Sequence, residues 1–442
     1  MSFELFVSFL VNFLLLILIY VFRKSLSVVH LFSISAFLLG MPFLRTLFGG
    51  EPWYARESVV VLSYFCVIIY SFSIVTFSFI VKDNSFYKTI FIVRNFFPSN
   101  KDLSVSIWIF VILWFLRLYR AYKYGIFFSG SATEEAVASV PYWLSVSSSI
   151  FSLLGGGALV IVILSSIKNR LNWLWLVIFI ELLWFFSSGG RREFVFFLSI
   201  VLSILFFEKV IKAKVLLFLI PIFVSILVIV TPFFLQVRDY NSDYLLIGKS
   251  TVDSFSMAIS DAYNDCGVGL GCIDRVFQNV SNRTNALEFL KLVVAAHQSG
   301  YDFLYGEGLL CSLAWAIPSF IVSKPSMMVE QLVQSRFGLV LIDDAISIPS
   351  LAYADAGIIG CIFAGVAIFI YIFFYFRASL RQKNTIIQFS MLYGIINILW
   401  NIEIDPTAYV VLVRDVFLII FIYKTSRVFY RVKYKKFYVK NF

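Results

Sequence analysis

Two glycines and two arginines stand together in Ser187-Ser188-Gly189-Gly190-Arg191-Arg192-Glu193, a short polar turn between long apolar runs. A guanidinium is planar, permanently charged and forked, which suits it to grip phosphate oxygens in pairs. Further arginines are placed where charge is expensive. Arg117 and Arg120 lie toward the end of one apolar run, and Arg414 sits beside Asp415 inside the last. Arginine at membrane depth is paired or lines a polar cavity. Two readings therefore compete for each: Arg117, Arg120 and Lys123 snorkelling to an interface, Arg414 pairing with Asp415, Glu181 or Glu193, and Arg191-Arg192 meeting headgroups, against a shared anionic ligand. Arg238, Arg275, Arg283 and Arg336 lie in a polar insert near the same end of the apolar runs. Convergence of these cations would suit a lipid carrying a diphosphate.

Acid–base candidates are Glu193, Asp239, Asp302, Glu307, Asp343, Asp344 and His297. His297, in Ala295-Ala296-His297-Gln298-Ser299-Gly300, reads either as a surface or capping histidine or as a general base. Asp343-Asp344 reads as a cap or loop pair rather than a metal site, since no Mg²⁺-binding context surrounds it. With two histidines in the chain, no metal-ligand spacing emerges, so no metal or other cofactor is expected. The catalytic candidates are thus Arg191, Arg192 and His297. The substrate-binding candidates are Arg238, Arg283, Arg117, Arg120, Arg336 and Arg414.

The elements that must position these residues follow from composition. Of 442 residues, 60% are hydrophobic and 14% charged, far below the charge content of a soluble domain (about 25%). Apolar runs long enough to cross a bilayer (~20 residues) recur almost end to end. Eleven spans can be drawn: 3–22, 28–47, 58–81, 104–123, 141–166, 171–188, 193–208, 213–235, 352–376, 385–402 and 407–424. The chain is expected to be an all-α polytopic membrane protein, treated as one domain over 1–442. A large helical segment, 236–351, interrupts it between spans eight and nine. The first span reads as retained rather than cleaved, because Arg23-Lys24 follows it instead of a small-residue site.

Loop charges then sort by side. Arg23 and Lys24, Lys82 to Lys101, Lys168 and Arg170, Lys209 to Lys214, Arg377 to Lys383 and the basic tail fall on one side. Glu51 and Glu57, Glu134 and Glu135, and Glu403 and Asp405 fall on the other. The positive-inside tendency makes the first set cytoplasmic, which puts the N-terminus outside and the C-terminus inside. The Arg191-Arg192 turn violates that tendency. The net charge of +10 owes much to the tail after the last span, a topology signal next to anionic lipid rather than a nucleic-acid surface.

Within the insert, Thr251–Tyr263, Ile273–Val280 and Asn285–His297 carry helical spacing, and Leu309–Val322 reads as a short re-entrant or interfacial helix. Glycines between Cys266 and Cys272 would let a disulfide close in an oxidising compartment. No internal repeat is evident, which counts against a secondary transporter.

The order of these pieces resembles the Wzy-type O-antigen or oligosaccharide repeat-unit polymerases. Gly189-Gly190-Arg191-Arg192 is similar to that family's Gly-x-Arg turn. Tyr305-Gly306 to Leu313, then Ile317-Pro318 and Ser323-Lys324-Pro325, resemble its loop pattern, and Pro349 to Gly360 resembles its return to the membrane. Ser319 departs from the arginine common after Ile-Pro. The resemblance spans roughly 180–365 and the overall plan. It implies a GT-C-like fold and a metal-independent, inverting glycosyl transfer at the periplasmic face of a bacterial inner membrane. The substrate it implies is undecaprenyl-diphosphate-linked oligosaccharide, with a separate partner protein for chain-length control. Arg191 and Arg192 would hold the diphosphate, Arg238 and Arg283 would assist, and His297, Asp302 or Glu307 would serve as base. An O-antigen ligase, a flippase or transporter, and a scaffold without chemistry are the rival readings.

Overall fold

The computed structural model describes residues 3–40, 42, 57–124, 140–172, 174–187, 191–212, 214–215, 236–237, 240, 243–244, 251–266, 285–317, 321–339, 346–401 and 406–440. Among them every regular element is helical. In chain order these are α1 (Phe3–Phe22), α2 (Ser27–Ser33, running into a π-helical turn Ile34–Gly40), α3 (Glu57–Val81), α4 (Ser85–Asn95) and α5 (Asn100–Tyr124). Next come α6 (Tyr142–Lys168), α7 (Leu174–Ser187), α8 (Arg191–Phe207), α9 (Thr251–Cys266) and α10 (Asn285–Gln298). The last are α11 (Glu307–Ala316), α12 (Val329–Phe337), α13 (Ile348–Leu380), α14 (Thr385–Trp400) and α15 (Pro406–Lys440).

Among the described residues six helices are long and apolar enough to cross a membrane: α1, α3, Asn100–Arg120 of α5, Trp143–Lys168 of α6, α13, and Pro406–Ser426 of α15. Four of the other expected spans form shorter apolar helices, over Ser27–Gly40, Leu174–Trp184, Phe196–Phe207 and Thr385–Trp400. The expected span 213–235 lies almost wholly outside the described residues. Large side chains such as Phe13, Trp108, Phe115, Phe363 and Phe417 stay exposed on the outside of the bundle, which suits lipid and not water. Together these features mark a multi-pass membrane protein.

Close packing in lipid needs small residues, because apolar area alone gives no preference for a neighbouring helix over a lipid tail. Gly155, Gly156 and Gly157 supply it on α6. A Cβ on Gly155 would lie 2.7 Å from Leu113 of α5, and one on Gly157 would lie 2.5 Å from the Ser390 amide nitrogen of α14. Gly365 does the same for α13 against α3, where a Cβ would meet the Tyr70 carbonyl at 2.5 Å. Some buried polar groups pair across helices. His30 Nδ1–H donates to the Leu399 carbonyl (3.3 Å), leaving Nε2 to accept from the Tyr70 hydroxyl at 2.7 Å.

One end of the bundle is tied together by the turns after α1, α3, α4, α6 and α8. Ser25 donates to Asp83 (2.5 Å), and the Leu26 amide donates to Ser85 Oγ (2.8 Å). Lys168, at the end of α6, donates to the carbonyls of Arg94 (2.7 Å) and Phe96 (2.8 Å) and pairs with Glu208 (3.2 Å). We call this the basic end. Here Lys24, Lys82, Arg170 and Lys209 all adopt left-handed backbone conformations, with φ of 54°, 56°, 54° and 59°. Glycine or asparagine usually fills such positions after a helix, and a residue with a Cβ costs about 1 kcal/mol there. Positive charge is placed at these turns in spite of that cost.

The opposite end is covered by α10, α11 and α12. Ser58, at the start of α3, donates to Gln298 at the end of α10 (3.4 Å), and Arg414 Nη1 lies 3.4 Å from the Ala316 carbonyl at the end of α11. Of the expected insert helices, 251–263 and 285–297 form with slightly later ends, as α9 and α10. The short apolar helix forms earlier than expected, over Glu307–Ala316 instead of 309–322. The expected helix 273–280 lies outside the described residues.

Candidate functional site

α10 is anchored first. Leu287, Phe289, Leu290, Val293 and Val294 are fully buried, and Lys291 is neutralised by Glu288 at 2.8 Å. The anchored helix delivers His297 to its last turn. His297 Nδ1 lies 2.9 Å from the Tyr301 carbonyl oxygen. A carbonyl only accepts, so Nδ1 carries the proton and Nε2 presents its lone pair. The imidazole stacks on Phe303 (ring centroids 3.9 Å apart), and Tyr353 of α13 stands edge-on at 6.2 Å. A ring oriented in this way has the arrangement required of a base.

α13 brings the next group. Its helix breaks at Ala356 and Gly357, where Gly357 takes φ 61°. A Cβ there would also strike the Phe303 ring at 2.9 Å. The break frees two carbonyls, and the chain before α11 uses them: the Leu304 and Tyr305 amides donate to Ala354 and Asp355 at 2.9 Å each. The Asp355 carboxylate meanwhile accepts from the Gly308 and Leu309 amides, both at 3.0 Å. It thus caps the first turn of α11 from another helix, satisfying amides that have no partner inside the helix.

The far end of α11 is capped by a cation. Lys324 Nζ donates to the carbonyls of Ala314 (3.2 Å), Trp315 (2.5 Å) and Ile317 (2.5 Å), and it lies over the Trp315 ring. Burial first, and then the positive charge of Arg414, holds the Lys324 ammonium below its ordinary pKa. Arg414 is bound at 2.8 Å to Asp415, which also accepts from Ser149 of α6.

The remaining candidates are dispersed. Arg117 Nη1 donates to both carboxylate oxygens of the buried Glu181 of α7 (2.8 and 2.9 Å), and Trp114 donates to the same carboxylate. Arg120 is half-buried, and among the described residues its Nε has no hydrogen-bond partner. Arg336 pairs with Glu307 at 2.8 Å on the exposed rim of α11 and α12. That pairing occupies Glu307, and Asp302 is exposed. Arg191 and Arg192 are the first two residues of α8, while their side chains lie outside the described atoms. One turn further on, Phe196 packs against Trp400 at the end of α14 (6.3 Å). The start of α8 therefore lies at the covered end. Arg238, Arg283, Arg275, Asp343, Asp344, Ser319 and Cys272 lie outside the described residues.

Two functional-looking residues had no role assigned from sequence, Asp355 and Lys324. A lone carboxylate inside an apolar run is a signal that would have singled out Asp355. Lys324 stood in the Ser323-Lys324-Pro325 pattern without a role of its own, because its three acceptors become neighbours only once α11 ends. Compared with known protein families, curated proteins and solved structures, the chain matches none.

Proposed function

We propose that this chain is a glycosyltransferase-type polymerase of a bacterial inner membrane, joining undecaprenyl-diphosphate-linked oligosaccharide repeat units into O-antigen or a related surface polysaccharide. In this reading the covered end faces the periplasm, the N-terminus is periplasmic and the C-terminus cytoplasmic. The observation that carries it is the approach of two cations to one helix end, Lys324 on the carbonyls of Ala314, Trp315 and Ile317 and Arg414 3.4 Å from that of Ala316, with Asp415 offsetting only one of the two charges. Like charges repel, and a bound anion offsets that repulsion. Arg191 and Arg192, on the first turn of α8 at the same end, add the positive end of a helix dipole to two guanidinium groups.

The chemistry follows from this charge. The bond from the anomeric carbon of the growing chain to its lipid diphosphate breaks, and the leaving diphosphate gains negative charge that fixed cations stabilise. The hydroxyl of the incoming repeat unit forms the new glycosidic bond, and its proton passes to Nε2 of His297. Asp355 and the α13 break set the position of the loop that holds the imidazole.

The test is reconstitution of the purified chain in liposomes with lipid-diphosphate-linked repeat units. A ladder of polymer lengths is expected. Arg191→Ala/Arg192→Ala should slow chain growth by about 10²–10³-fold, and His297→Gln by about 10²–10⁴-fold. Unchanged polymer from well-folded variants of both kinds would overturn the reading.

A further inference from the structure

An apolar shaft of about 300 Å³ runs between α2, α4, α6, α8 and α14. Along α14 it is lined from Phe389 to Trp400, a rise of about 16 Å at 1.5 Å per residue. That is close to the half-thickness of a bilayer's hydrocarbon core, about 15 Å. Near the covered end the shaft is stoppered by aromatic rings. Trp400 stacks on Phe32 (5.7 Å) and meets Phe196 (6.3 Å), which in turn packs on Tyr393 (5.3 Å).

At the basic end, with Phe207 as a wall common to both, a separate polar mouth of about 470 Å³ is formed by Tyr87, Phe91, Arg94 and Asn95 of α4 with Glu208 and Lys209 after α8. Glu208 is already neutralised by Lys168. Among the described residues neither Arg94 nor Lys209 has a carboxylate within ion-pair distance, and both side chains are exposed. Lys209 also occupies a left-handed position that favours glycine, so its charge is kept against local conformational preference. α4 is amphipathic: Thr89 and Val93 face the shaft, while Lys88 and Arg94 are exposed. Such a helix lies along a bilayer surface.

We propose that this shaft and mouth bind one anionic phospholipid, an acyl chain in the shaft and the phosphate between Arg94 and Lys209. The geometry fixes the orientation, because the aromatic stopper closes the other end. This site lies at the opposite end of the bundle from His297 and Lys324 and stands independently of the proposed reaction.

The test is native mass spectrometry of the full-length chain in detergent, titrated with phosphatidylglycerol and with phosphatidylcholine. The wild type should retain one phosphatidylglycerol about 30-fold more tightly than phosphatidylcholine, the ratio expected of two basic side chains near a lipid surface. Arg94→Gln/Lys209→Gln should erase that preference. Ser203→Trp, which fills the shaft, should abolish retention of both lipids, and glycerol phosphate without acyl chains should fail to compete even with the wild type. Equal affinity for the two lipids, a preference that survives the double substitution, or effective competition by glycerol phosphate would each overturn the proposal. So would a preference lost in Arg191→Gln/Arg192→Gln but kept in Arg94→Gln/Lys209→Gln, since that would put the head at the other end.

Discussion

Lys168 and Lys324 do the same local work at opposite ends of the molecule. Each ammonium reaches the carbonyls at the end of a neighbouring short helix: Lys168 those of Val93, Arg94 and Phe96 at the end of α4, and Lys324 those of Ala314, Trp315 and Ile317 at the end of α11. Each also lies over an aromatic ring, Phe97 at 4.8 Å and Trp315 at 5.6 Å. The difference is the fourth partner. Lys168 has the carboxylate of Glu208, whereas Lys324 stands near the Arg414–Asp415 pair, whose single carboxylate offsets only one of the two cations. Capping explains both lysines, but only the first site is electrically closed. Surplus positive charge marks a place arranged for something beyond helix capping.

The sharpest way to break this comparison is to remove each ammonium in turn. Lys168→Met leaves the buried Glu208 carboxylate unpaired, and it should lower unfolding stability by about 3–5 kcal/mol, read as a lowered midpoint in detergent denaturation. Lys324→Met strips one cap without orphaning a carboxylate. Its stability cost should stay within about 1–3 kcal/mol, while polymer formation in liposomes falls further than that loss explains. If the two variants lose equal stability and polymer formation survives Lys324→Met, the contrast between the ends is wrong. The smallest effect is expected at Arg336. Its pair with Glu307 is 58% and 46% exposed, so Arg336→Gln should shift stability by at most about 1 kcal/mol and leave both ends as they are.

The helices were legible in the sequence where apolar length alone decides them. The expected 3–22 and 58–81 segments coincide with α1 and α3 nearly end to end. α4 was hidden, since eleven residues carrying Lys88 and Arg94 read as a charged loop unless their 3.6-residue spacing is weighed. α7 and α14 have only 14 and 16 residues, fewer than the ~20 that a bilayer requires, so their depth depends on neighbours that hydropathy does not reveal. The break in α13 was also unreadable, because an Ala-Gly pair inside an apolar run is compatible with an unbroken helix.

Of the candidate site, residue types were legible and partnerships were not. Glu181 was weighed as a partner for Arg414, and the structure gives it to Arg117 while Arg414 keeps its neighbour Asp415. Such choices depend on how each helix is rotated about its axis, which one sequence's hydropathy leaves free. His297 was singled out, but the carbonyl that fixes its tautomer belongs to Tyr301, past a turn at Gly300.

The Asp355 cap has a consequence in time as well as in space. The carboxylate that satisfies the first amides of α11 lies 47 residues further along the chain than Gly308. At a synthesis rate of about 5–20 residues per second, α11 waits roughly 2–9 s for it. During that interval the helix has neither its N-terminal carboxylate nor the two carbonyls released by the α13 break. A nascent chain stopped before Asp355 would therefore carry an α11 that is accessible to protease, and one extended through α13 would carry a protected one.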